Sequence, residues 1–292
     1  MSALTSRLLV AGAACLWGMW SLCFRAVERI APVSAAVESL IVFAFILAFL
    51  APFAWRSRGA GRTRRAWALV LGLGVVDGIN VLCFFSALQH TTVALAVLTH
   101  YIAPILVALA APLVVGERYR VRTFVALALA IAGLVLLLQP WAVSPASLLG
   151  PALGALSAVF FAGTVLIAKV LGNERVKFST MELGFLPKAP ALAVLLIAVI
   201  AQGNTAAVLD VSNEQVALLF GGALAFGTIP LVMFYVGLAH IPVSQASVLT
   251  LCEPLVAVLV GAIAFQELPG PLALFGALLV VSGAAVIARA PS

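Results

Sequence analysis

The sequence predicts an all-α integral membrane protein of ten transmembrane helices arranged as two inverted five-helix repeats. Three observations predict it. Only 9% of the 292 residues are charged, 64% are hydrophobic, and the mean hydropathy is +1.23. A soluble domain carries about 25% charged residues, so this chain has too few to cover a water-facing surface. Ten apolar runs each approach the ~20 residues that a helix needs to cross a bilayer. Finally, LTHYIAPILVAL (98–109) and VLTLCEPLVAVL (248–259) read nearly alike.

The runs fall at 7–27, 33–55, 66–89, 93–115, 121–139, 150–171, 180–202, 214–238, 243–265 and 270–288. In the first, GAAC at 12–15 is only a faint cleavage-site pattern, because apolar sequence continues to Phe24; this run is expected to be an uncleaved span. The second holds Glu38, and the third holds Asp77 and Asn80. The fourth and ninth carry Pro104 and Pro254 well inside their apolar stretches. The sixth repeats the glycine of the first, and the seventh contains LPKAP (186–190). The four cysteines, Cys15, Cys23, Cys83 and Cys252, lie in apolar runs without metal-ligand or CxxC spacing, as small buried hydrophobes do.

The net charge of +6 comes from basic residues set between the runs. They read as topology signals, not as a nucleic-acid groove, because no basic patch is interleaved with aromatics. With the N-terminus inside, one side collects Arg7, Arg56, Arg58, Arg62, Arg64, Arg65, Arg118, Arg120, Arg122, Arg175, Lys177 and Arg289. The other side has only Arg25 and Arg29. This bias predicts that both termini are cytoplasmic.

A shift of 150 residues pairs Pro104 with Pro254, Glu117 with Glu267, Gly133 with Gly283 and His90 with His240. A shift of 145 pairs Gly18 with Gly163, and one of 144 pairs Glu38 with Glu182. The halves are expected at 1–145 and 146–292. Five spans per half is an odd number, so the second half enters from the opposite side and the repeats are inverted. Inverted halves that exchange conformations give alternating access to a central site.

The proline-bearing fourth and ninth spans, the ALQH (87–90) and GLAH (237–240) turns and the glutamates that close those spans belong together. With five plus five spans, the chain resembles the drug/metabolite transporter superfamily, EamA type, over its whole length. CLWGMWSLCFR (15–25) and THY (99–101) resemble the aromatic amino acid exporters of the YddG type. The resemblance implies a central cavity lined by spans one to four and six to nine, with spans five and ten peripheral. Where an EamA repeat often has an arginine early in its second span, this chain has Glu38 and Glu182.

Ionisable groups inside a bilayer are costly and therefore mark candidate sites. Asp77, Asn80 and Phe84 share a helix face, with Asp77 placed either to meet a substrate amino group or to pair with a neighbouring helix. His100 and Tyr101 sit one turn before Pro104, which frees the His100 carbonyl. Such backbone is tolerated only against protein or a water-filled cavity. Glu253 precedes Pro254 in the equivalent kink, with Ser244 on the face that Pro254 shares. His100, Glu253 and Asp77 are the candidate proton-coupling residues. Trp17 and Trp20 lie mid-span, away from the interfacial belts, and with Phe161, Thr164 and Tyr235 they suit an apolar or aromatic substrate. Lys188 lies between two prolines, placed to bind a carboxylate or to reach the interface. Arg25 and Lys169, near the ends of equivalent spans, are expected to snorkel.

No HExxH, nucleotide loop or nucleophile elbow is present, and no charge ring suggests a channel. The expectation is an inner-membrane exporter of amino acids, aromatic and other neutral ones, with no cofactor or metal. Its partners are the amino acid, the lipid bilayer and, as a candidate coupling ion, the proton; another small metabolite or drug is the alternative cargo.

Overall fold

The computed structural model describes residues 1–56, 61–118, 120–142, 147–173, 178–266 and 269–289. It contains ten helices long and apolar enough to cross a membrane, and no strand among the described residues. They are α1 (Ala3–Ile30), α2 (Ala35–Arg56), α3 (Arg64–His90), α4 (Ala94–Val115), α5 (Val121–Ala142), α6 (Leu149–Gly172), α7 (Thr180–Ala201), α8 (Asn213–Leu238), α9 (Val243–Ala264) and α10 (Pro271–Ala288). Their ends differ from the sequence prediction by at most four residues. Arg58, Arg175, Lys177, Glu267 and the boundary between residues 145 and 146 lie outside the described residues.

The helix packing has two-fold pseudo-symmetry. α5 packs chiefly on α10, and the pair makes smaller contacts to α4, α9 and α1. α3 packs on α6 as α8 packs on α1, α4 packs on α6 as α9 packs on α1, and α7 packs on α3 as α2 packs on α8. Each pairing therefore has its counterpart when the halves are exchanged. Local bonds repeat too. The His90 ring Nδ1 bonds the Ser86 carbonyl at 2.8 Å and His240 Nδ1 bonds the Val236 carbonyl at 3.0 Å, four residues back in each case. Both histidines cap the end of a span, and neither enters the interior.

Small residues set the closest crossings. A side chain at Gly133 of α5 would collide with the Gly276 carbonyl and the Val280 amide of α10. One at Gly283 of α10 would meet the Ala126 carbonyl of α5. Helices in lipid gain little from hydrophobic contrast, so close van der Waals approach is what holds such a pair.

Five of the ten helices are interrupted away from their ends, whereas α5 breaks only near its end, at Gln139. α1 breaks at Met19, between Ala3–Gly18 and Trp20–Ile30. α4 breaks between His100 and Ala103, and α9 between Leu249 and Cys252. α7 breaks between Phe185 and Lys188. α8 carries a π-helical turn at Ala223–Thr228, just before Pro230. Prolines account for four of these, because each removes an amide and clashes with the carbonyl four residues earlier. In α9 the freed Thr250 carbonyl is taken by the Glu253 amide at 3.0 Å.

One sequence pairing is corrected. Ser34 accepts from the Val37 amide at 3.4 Å, and Ser179 accepts from the Glu182 amide at 3.2 Å. The same cap thus starts α2 and α7 under a shift of 145, which sets Val37 opposite Glu182. Glu38 is not the counterpart of Glu182. Glu182 completes a capping box and holds Arg62 at 2.5 Å, whereas Glu38 is buried with its Oε1 unpartnered.

Gly133→Leu is expected to force α5 from α10 at a cost of about 1–3 kcal/mol. It should lower the melting temperature in detergent, whereas Gly270→Leu, where no atom stands within 4 Å of an added Cβ, should lower it much less.

Candidate functional site

The interrupted helices meet in the interior, and the aromatic residues of the tryptophan-rich first span meet there with them. Gly18 allows this: a side chain there would strike the Glu253 carbonyl and Val256 of α9. The break in α1 therefore rests directly on the break in α9. From this junction Trp17 contacts Phe234 of α8 with ring centroids 5.3 Å apart. Trp20 stacks on Phe24 at 5.0 Å and meets Phe226 of α8 edge-on at 6.0 Å. Phe24 meets Phe85 of α3 at 4.9 Å, and Phe85 lies 5.7 Å from Phe84.

Phe84 hands the series to α4. The His100 ring lies 4.5 Å from Phe84, 5.2 Å from Phe161 of α6 and 5.3 Å from Tyr101. His100 Nδ1 is 2.8 Å from the Ser157 hydroxyl, which donates to the Gly154 carbonyl at 2.7 Å. A hydroxyl has one proton, so Ser157 accepts from His100 and Nδ1 carries the imidazole proton. Nε2 is left as the acceptor. The buried Tyr101 hydroxyl lies beside the Glu253 carboxyl without a hydrogen bond of good geometry. Trp17, Trp20, Phe84, Phe161 and Glu253 all keep partial exposure although they touch other helices.

A second group lies on α3, α7 and α2. Lys188 Nζ bonds Asp77 Oδ2 at 2.6 Å, with side chains 7% and 15% exposed. The ammonium also stands 4.1 Å over the Phe43 ring. Gly74 and Gly78 make the approach possible, because side chains there would strike the Pro187 and Ala191 carbonyls of α7.

The predicted residues therefore divide. Trp17, Trp20, Phe84, His100, Tyr101, Phe161, Tyr235 and Glu253 come together around the breaks, and Asp77 pairs with α7. Asn80 is buried with its Oδ1 unpartnered. The Thr164 hydroxyl turns back to the Phe160 carbonyl at 3.1 Å. Ser244 is elsewhere: it lies in the first turn of α9, where its hydroxyl donates to Glu117 at 2.8 Å. The Val243 amide also donates to Glu117, and the Ser244 amide does so at 3.2 Å. Lys169 does not snorkel; its ammonium donates to the Leu238 and Ile241 carbonyls, both at 2.8 Å. Sequence reasoning missed Ser157 and Phe43, since a lone serine and a lone phenylalanine in apolar runs carry no pattern.

The matching of family and fold is direct. A family model described as EamA-like transporter family matches residues 4–139 and again residues 148–289. The chain belongs to the EamA-like transporter family. Among the relatives of this chain, an uncharacterized transporter of Archaeoglobus fulgidus is 30% identical over 241 residues, 82% of this chain and 83% of that one. The uncharacterized transporter YwfM of Bacillus subtilis is 28% identical over 291 residues, 97% and 94% of the two chains. The pseudopaline exporter CntI of Pseudomonas aeruginosa is 30% identical over 108 residues, 37% and 38% of the two chains. A crystal structure superposes with a TM-score of 0.79 at 22% identity, covering 99% of this chain and all of the other; that likeness supports the fold alone.

Glu117 ties the end of α4 to the start of α9, one half to the other, on the arginine-rich side. Glu117→Ala is expected to leave the α9 amides uncapped. The cost should be near that of a lost N-cap, about 1 kcal/mol, read as a lower melting temperature. Glu117→Gln should retain part of the loss, because its amide oxygen still accepts one bond.

Proposed function

We propose that this EamA transporter exports amino acids, aromatic and other neutral ones, by alternating access around the junction of α1, α3, α4, α6, α8 and α9. The carrying observation is the run of ring contacts from Trp20 to Phe161 through Phe24, Phe85, Phe84 and His100. Offset and edge-on rings form a lining to which a planar apolar side chain adds without desolvating unpaired polar groups. The halves 1–145 and 146–292 act as the two rocking units, and α5 and α10 stand aside from the lining. The arginine-rich side is the cytoplasmic one, with both termini there, in the plasma membrane (the inner membrane of a bacterial cell). Arg7 supports this pairing of ends, since it donates to the Ala288 carbonyl at 3.1 Å. Transport, not catalysis, is the activity.

A second cargo class has its own support. The partial likeness to a pseudopaline exporter supports export of another small metabolite or drug by the same scaffold. Protons are the proposed coupling ion, taken by Glu253 where the two kinked helices meet beside Tyr101, with His100 holding the aromatic wall.

Purified protein in liposomes should show counterflow uptake of labelled phenylalanine, competed by tryptophan and tyrosine. Trp20→Ala and Phe161→Ala should each lower uptake at least fivefold without loss of monodispersity. Uptake unaffected by these changes, or absent from folded wild type, would overturn the amino acid reading and leave the metabolite reading. An imposed pH gradient should drive net phenylalanine movement in wild type and not in Glu253→Gln; no response of the wild type would make the protein a facilitator, and an equal response of the two would take the proton from Glu253.

A further inference from the structure

Lys188 and Phe43 occupy equivalent positions of the two halves. The caps at Ser34 and Ser179 fix the shift at 145, and that shift carries position 43 onto 188. Equivalent residues in contact lie on the pseudo-two-fold axis, and the Lys188 ammonium stands 4.1 Å from the Phe43 ring. A group on this axis stays central whichever side is open, since exchanging the halves leaves the axis in place. Only a few groups can stay engaged with a substrate through the whole cycle, and Lys188 is one of them.

Asp77 completes the arrangement. Its Oδ2 is taken by Lys188 at 2.6 Å, while Oδ1 has no hydrogen bond and the side chain keeps 15% exposure. The pair lies two turns along the same helix from Phe84, whose ring joins the aromatic group. A carboxylate and an ammonium in contact have the same charges as the head of an amino acid.

We propose that the Asp77–Lys188 pair is the recognition site for the charged head of the substrate, and that a zwitterion binds by exchange. The substrate ammonium takes Asp77, its carboxylate takes Lys188, and the pair re-forms on release. This inference rests on the transporter reading above and deepens it: the cargo must carry both charges. Two consequences follow from charge balance. The empty pair is neutral, so it adds no charge movement when the empty carrier reorients. The loaded pair is neutral too, so the substrate head adds none to the substrate-bearing step, and any dependence on membrane potential comes from the proton at Glu253. A cation or anion alone would leave one protein charge unpaired in a poorly hydrated interior, which is costly.

The first test needs no variant. Phenylalanine counterflow in liposomes is competed with phenethylamine, which lacks the carboxylate, and with 3-phenylpropionate, which lacks the amine. At tenfold excess neither should inhibit, while unlabelled phenylalanine should abolish uptake; inhibition by either single-charge analogue equal to that by phenylalanine overturns the proposal. The second test is Asp77→Asn with Lys188→Gln. The neutral double variant leaves no unpaired charge and should fold, yet lose at least tenfold in counterflow. Full transport by a folded double variant would make the pair structural only. Should phenylalanine itself not move, the aromatic reading fails separately. The exchange is then read by thermal shift with alanine, serine, glutamine and histidine. Stabilisation of wild type and not of the double variant supports the charge-pair site, and equal or absent shifts in both overturn it.

Discussion

A helix broken inside a bilayer leaves backbone groups that lipid cannot satisfy. That constraint organises this protein. Its five interrupted helices, α1, α4, α7, α8 and α9, can exist only where other helices cover the breaks. The breaks consequently turn inward and bring their side chains with them. Trp17 and Trp20 flank the break in α1, His100 and Tyr101 that in α4, Lys188 that in α7, Phe226 the π turn of α8, and Glu253 the break in α9. α10 runs unbroken and α5 breaks only near its end, at Gln139, so neither needs such cover. They pack on each other through Gly133 and Gly276 and hold no residue of the junction.

The Asp77–Lys188 ion pair is a costly feature of this interior. Taking two charges out of water is repaid by their attraction only when geometry is good, and removing one partner alone costs about 3–5 kcal/mol. A contact of 2.6 Å with the ammonium over an aromatic ring meets that condition. Even so, two apolar residues of similar volume would hold α3 and α7 together as well. The glycines already supply the close approach: Gly74 and Gly78 seat the α7 backbone without help from charge. The pair is therefore hard to explain as an adhesive and easier to explain as a site.

The scaffold was legible in the sequence because membrane helices announce themselves by length and charge depletion. Span ends came within four residues, and the repeat emerged from prolines, glycines and histidines whose backbone roles do recur, as the His90 and His240 caps show. The pairings were less legible. Asp77 and Lys188 were each visible as anomalies, but 111 residues separate them, and no local pattern says that one finds the other. Ser244 misled because helical periodicity gives a face and not a depth. It lies at the end of α9, where free amides claim its neighbourhood and Glu117 satisfies them. Glu38 misled for a related reason. A repeat slips by one residue at a loop, and only the caps at Ser34 and Ser179 show which register the helices keep.

The axis also explains why the halves cannot be identical. Inverted repeats exchange conformations best when they are alike, yet residues related by the axis and touching across it would then be the same. Two lysines there would repel each other, and two phenylalanines would offer a substrate no charge to read. Divergence is thus required at the axis and unnecessary far from it. The sequence follows that gradient. Histidine caps, kink prolines and crossing glycines recur between the halves, whereas Phe43 faces Lys188, and the break that holds His100–Tyr101 in one half holds Cys252–Glu253 in the other. The near-symmetric frame recurs where backbone geometry must recur, and the two halves diverge where they meet at the axis.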